Sequence, residues 1–333
     1  MLLDISPPIF SILLIKGGTL IFDEKDLHLQ AEHILITENG RFQIGESAEK
    51  PFQHKATITI HGHVRSTELP IYGAKSISVR EGTLALYGKH IMHTWTHLSE
   101  TANVGATAIK LNLPALGWNI GDQIVIATTS KSIRENEVVN ITGIRDGGKT
   151  LDIDPKLKYR HISFNQTIEG YFVETRAEVG LLTRNVVIQG SKEQTWLKNI
   201  ASCPKEFEPG QFKKQTCFDG KFGEERGSDQ FGVQIMVHSG HKNSRKAIGF
   251  FHYIEVRHAG QAFRLGRYPI HFHMDGDVSG SYVKGCAIHH SFNRAVTMHG
   301  INNLVVENNV IYDILGKVFS NLFFFFLFVV DLT

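Results

Sequence analysis

Cysteine is nearly missing from this chain: Cys203, Cys217 and Cys286 are the three in 333 residues. So few cannot build a disulfide scaffold. Cys203 and Cys217 bracket the polar stretch CPKEFEPGQFKKQTC, whose Pro and Gly suit a loop, and two readings stay open there: a bridge closing the loop, or two reduced thiols. Cys286 sits in an apolar, strand-like run and reads as a small core residue. Excess charge is missing too. The formal balance of +2 gives no bulk attraction to nucleic acid or to an anionic membrane, so function must come from local sites.

Long apolar runs are also absent. Leu322 to Val330 is uninterrupted, but it is only about half of what a bilayer span requires. Residues 317–333 read as an aberrant, aggregation-prone apolar end on a truncated chain. Near the start, Ile9 to Ile15 has the character of a signal-peptide core. However, no basic residue precedes it and no small-residue cleavage site follows. The chain itself is therefore not expected to insert in a membrane. The sequons at Asn140 and Asn165 mark glycosylation sites and lean towards secretion.

Helical periodicity is scarce as well, and its best candidate lies around Thr94 to Ala102. What is present is β: short alternating or β-branched runs such as ATITIHGHV, GVQIMVHSG and YVKGCAIHH, each ended by Gly, Asn or Asp. Up to about residue 130 their Gly-rich punctuation suggests a meander. After about Gly170 they look like stacked rungs, because VKGCAIHHSF from Val283 lines up with VENNVIYDIL from Val306 at an offset of 23 residues. Between them, 131–169 reads as a polar β connector. It contains Gly143 to Thr150, which matches the phosphate-loop pattern G-x-x-x-x-G-K-T. Phosphate binding needs a helix immediately afterwards, whereas LDIDP reads as a strand, so a hairpin turn is expected.

Half of the 18 histidines fall between His238 and His299. In an extended strand, residues two apart share a face, which would aim His271, His273 and Asp275 the same way. His289, His290 and His299 follow about one strand and turn later. Imidazoles with a carboxylate suit zinc, whereas calcium would draw on the oxygens of Asp275 and Asp277. The bland alternative is a ladder of polar side chains bonded to one another along a solenoid wall. His61 and His63 share a face too, but two ligands do not make a site.

These stretches carry a family resemblance. GGTLIFDE, PFQHKATITIHGH, LPIYGAKSISVREGTLALYGK and GWNIGDQIVIATT resemble the eight-glycine (G-eight) domain. TRAEVGLLTRNVVIQG, YIEVRHAGQ and the histidine-rich segment resemble the β-helix that follows that domain in the fibrocystins, and more distantly in the cell-surface hyaluronidases. The resemblance implies an all-β chain: an eight-glycine β-domain over 1–130, the connector over 131–169, and a truncated right-handed parallel β-helix over 170–316. It also implies an extracellular or cell-surface setting, with a membrane-anchored parent protein and a partner that is a hyaluronan-like glycan or a protein. Where the hyaluronidases carry an acidic residue and Met before the Arg, this chain has Glu174 and Thr175 before Arg176. That departure, and the non-enzymatic character of the fibrocystins, imply recognition without catalytic residues. A hyaluronan-binding, metal-dependent hyaluronidase is the alternative.

Overall fold

The computed structural model describes residues 1–63, 66–192, 199–201, 224–226, 230–240, 246–262, 264–316 and 318–321. Cys203, Cys217 and the apolar run from Leu322 lie outside the described residues. Among those described, the helical pieces are two 3-10 turns, Ile133–Glu135 and Asp146–Gly148, and everything else regular is strand. The helix expected near Thr94 to Ala102 does not form, and Trp95–His97 is a strand there. Its Thr-Trp-Thr composition favours a pleated surface over a helix.

The chain divides into two units: residues 1–89, 184–307 and 311–333 form one, and residues 90–183 with 308–310 form the other. The first unit is a parallel coil with three faces. On the first face, Leu27–Ala31, Ala56–Ile60, Val186–Gly190, Ile254–Arg257 and Ala287–Ser291 pair side by side. On the second, His33–Thr37 pairs with Ser76–Arg80, followed by Gln234–His238, Ile270–Asp277, Val296–Asn302 and Phe319–Asn321. The third carries Thr19–Phe22, Arg41–Ile44, Thr83–Tyr87, Ile248–His252, Tyr282–Lys284 and Val305–Glu307. All these pairings are parallel. The chain visits the faces in rotation, so consecutive runs stack one level up rather than folding back.

The meander expected for the Gly-rich beginning is therefore corrected: residues 10–87 already coil. Alternation of apolar and polar residues is the same in a meander and in a coil, so the pattern could not separate them. The offset of 23 residues, by contrast, is realised in the register, where Val283 stands opposite Val306 and Lys284 opposite Glu307. The core lies inside the coil. Leu29, Ile58, Ile188, Val256 and Ile288 occupy equivalent positions and are fully buried. Each such side chain contributes about 1.5–3 kcal/mol relative to exposure. Cys286 joins this core as a reduced thiol against the Phe251 carbonyl, and burial pushes its pKa up to about 11, which makes it inert.

The second unit is antiparallel. Its sheet runs Ala108–Lys110, Thr150–Asp154, Glu137–Arg145, Gln123–Ile126, Glu178–Leu181, Trp95–His97. A separate hairpin pairs Ser163–Ile168 with Tyr171–Arg176. The stretch expected as a connector contributes two strands to the larger sheet. The phosphate-loop lookalike is the turn between them, since Thr150 begins a strand and no helix follows. Asn140 and Asn165 are both exposed in this unit.

Candidate functional site

The site is built from the outward side of the second face. In Ile270–Asp277, Ile270 and Phe272 point into the core, so His271 and His273 point out. Parallel register places His238 beside His273 and His273 beside His299, at one position in three successive strands. Their ring centroids are 5.2 and 4.9 Å apart in turn. His271 adds a fourth imidazole, 5.0 Å from the His273 ring and parallel to that of His299 at 6.5 Å. One ring nitrogen from each of His271, His273 and His299 can be chosen so that all lie within 4.8 Å of one another.

His271 is the floor of this group, 2% exposed, with the edge of Tyr268 against its ring. His273 and His299 are partly exposed. The Nδ1–H of His271 donates to the Gly266 carbonyl at 3.1 Å, because a carbonyl only accepts. In the neutral ring the lone pair is then on Nε2, which is buried and meets no hydrogen-bond partner among the described residues. Nδ1 of His273 is in the same condition. Burial, reinforced by the neighbouring His273, holds His271 well below its ordinary pKa. Burial together with His238 and His299 brings His273 down to about 4. These rings are uncharged at neutral pH, the state in which imidazole ligates metal.

The carboxylates expected beside them do not join. Met274 and Gly276 both take positive φ, and one extra residue is inserted between His273 and Gly276 relative to the partner strand. This bulge breaks the alternation on which the alignment of Asp275 with His271 depended. Asp275 is buried instead, and its Oδ1 accepts weakly from the Ala247 N–H at 3.4 Å; burial raises its pKa to about 6. Asp277 is exposed and accepts from Ser279 and Asn303.

His289 and His290 also stand apart, because their strand belongs to the first face. There His289 takes the position next to Arg257. Its Nε2 is 3.2 Å from Glu255, its Nδ1 is 2.7 Å from Nδ1 of His290, and Nη1 of Arg257 is 3.0 Å from Glu255. His61 is spoken for, with its Nε2 3.1 Å from the side chain of Gln30. In the second unit, Arg176 pairs with Glu174 at 2.6 Å and donates to the carbonyls of Leu98 and Ser99. Sequence reasoning did not single out His238 or Glu255. Their only signal is strand parity combined with knowledge of which strands stack.

Comparison with known proteins bears on the whole chain. Residues 1–99 match the G8 domain family and residues 230–321 match the CEMIP beta-helix family. Fibrocystin-L of Mus musculus is 52% identical over 96% of this chain, which covers 8% of that protein. Fibrocystin of Canis lupus familiaris is 34% identical over 95% of the chain, again 8% of its length. The chain thus spans about a twelfth of these relatives. Among solved structures, the tailspike gp61 of Pseudomonas phage phi297 covers 86% of this chain and 42% of its own at 8% identity, with a TM-score of 0.26, too low to argue from.

Proposed function

This chain belongs to the fibrocystin family, carrying a G8 domain and a CEMIP β-helix, and from that premise we propose that it is an extracellular recognition segment. It binds a glycan or a protein ligand on the outer wall of its coil, without chemical turnover. The observation that carries this reading is the pair of partly exposed imidazoles His273 and His299, neighbours in a column that buried His238 continues and buried His271 backs. Parallel strands repeat about every 4.8 Å, so a column of identical polar groups meets a linear, hydroxyl-rich polymer at regular intervals. An imidazole in its neutral form both donates and accepts hydrogen bonds, which suits hydroxyls. Exposure of Asn140 and Asn165 supports passage through the secretory route. Expressed in animal cells, the secreted chain should lose mass on enzymatic deglycosylation.

Glycosidic cleavage ordinarily uses two carboxyl groups roughly 5–9.5 Å apart across the bond. The side chains gathered in this column are imidazoles, and that favours binding over cleavage. One observation favours the hyaluronidase-like alternative: a carboxyl with its pKa raised to about 6, such as Asp275, is partly protonated in weakly acidic surroundings and can act as a general acid. High-molecular-weight hyaluronan separates the two. Incubated with the chain, with and without chelator, it should keep its length. Chelator-sensitive shortening would replace the recognition reading with the enzymatic one.

A further inference from the structure

We propose that His271, His273 and His299 form a binding site for a divalent transition ion of the zinc type. The inference deepens the recognition reading and rests on it in one respect only, the identity of what fills the ion's remaining position.

Geometry comes first. Three atoms within 4.8 Å of one another have a common centre no farther than about 2.8 Å from each (4.8/√3). Zinc–imidazole bonds are about 2.0–2.1 Å. Each nitrogen must therefore move inwards by at most about 0.8 Å, a distance that small side-chain rotations cover. His271 and His273 lie on one strand and His299 lies directly opposite His273 on the next, so the backbone that carries the ligands is already fixed.

Proton inventory comes second. A structural ladder would tie the ring nitrogens to one another or to backbone. Here Nε2 of His271 and Nδ1 of His273 are buried without such ties among the described residues. Meanwhile the other nitrogen of His271 donates to the Gly266 carbonyl. A metal-bound histidine ordinarily has that arrangement: one nitrogen fixed by a backbone carbonyl, the other left with its lone pair.

Donor chemistry comes third. An all-nitrogen set suits zinc and its neighbours, whereas calcium and magnesium take oxygen ligands. Calcium, one of two ions expected from sequence, does not fit once Asp275 and Asp277 are elsewhere. Three imidazoles leave a tetrahedral ion one open position. His271 closes the inner side and the partly exposed His273 and His299 flank the outer, so that position faces solvent, where a carboxylate or hydroxyl oxygen of a ligand can enter.

The test uses the full 333-residue chain, stripped with chelator and dialysed. Titration with Co(II) should give the visible absorption of a four-coordinate ion, saturating at one equivalent and displaced by Zn(II). His273→Ala and His299→Ala, each at partly exposed positions, should weaken zinc binding by more than the roughly 10–100-fold that loss of a mere hydrogen-bond partner of a ligand costs. His289→Ala, on the other face, should leave it unchanged. Circular dichroism checks that each variant folds. Unaltered zinc affinity in both His273→Ala and His299→Ala, or no cobalt spectrum in the parent chain, overturns the proposal. Hyaluronan retention by the zinc-loaded chain is a separate readout: its failure with zinc binding intact would count against the recognition reading alone.

Discussion

Glu255 and His271 are both buried polar groups on outward faces, and their surroundings act on them in opposite ways. Burial disfavours the charged form of each. Around Glu255 that cost is outweighed: Nε2 of His289 is 3.2 Å from Oε1, Arg257 is 3.0 Å from it, and the Arg184 N–H donates to Oε2 at 3.0 Å, so the carboxyl falls below its ordinary pKa. Around His271 nothing positive is stabilised, and the ring stays neutral. Nε2 of His289 lies at ion-pair distance from Glu255 without forming a hydrogen bond. Its Nδ1 shares a 2.7 Å hydrogen bond with Nδ1 of His290. Glu255→Gln turns one acceptor into an N–H₂ facing the guanidinium of Arg257 and removes the charge beside the ring of His289. The variant should lose about 1–3 kcal/mol, read as a lower urea midpoint. An unchanged midpoint would mean that the network adds nothing to folding.

At the scale of strands and corners, close backbone approach sets the limits. A Cβ on Gly232 would stand 2.1 Å from the carbonyl oxygen of His258 and 2.4 Å from its carbon, and Gly232 is also held by a 2.8 Å bond from its N–H to the Gly260 carbonyl. Backbone on both sides cannot yield as a flexible side chain would. Gly232→Ala should therefore cost about 1–3 kcal/mol, lowering the melting temperature by about 2–12 °C. An unaltered melt would show that this corner can relax.

Corners also explain what was legible in the sequence. The in–out alternation and the offset of Val283 and Val306 could be read directly, because both are local or nearly so. Which face a strand joins could not. His238 meets His273, and Arg257 meets His289, only after the corners are placed. Several corner residues with positive φ are Tyr253, His258, Met274 and His290, which carry no glycine signal. The bulge at Met274 is the costliest case, since it separated Asp275 from the histidines with which simple parity had grouped it.

At the scale of the whole molecule, the buried imidazoles couple folding to pH. Burial, helped by Lys192 and Arg257, lowers His258 to about 3, His273 sits at about 4, and His28, His33, His271 and His290 are all lowered chiefly by burial. In the unfolded chain each takes a proton near pH 6.5. Between that value and the depressed folded values the unfolded state binds more protons. Stability is therefore fully present above about pH 6.5 and falls as the pH drops towards 4. Glu255 adds to the loss at the acid end, since its folded pKa is depressed as well. Asp275 acts in the opposite sense, because its raised pKa of about 6 makes the folded state the better proton acceptor from pH 6 down to its ordinary value near 3.8. One carboxyl set against six imidazoles does not reverse the sign. The urea midpoint of the chain in chelator should accordingly be lower at pH 5 than at pH 7.5. Chelator is needed because a bound ion would hold His271, His273 and His299 unprotonated and steepen the dependence. A midpoint that rises on acidification would mean that these rings are not buried as neutral groups.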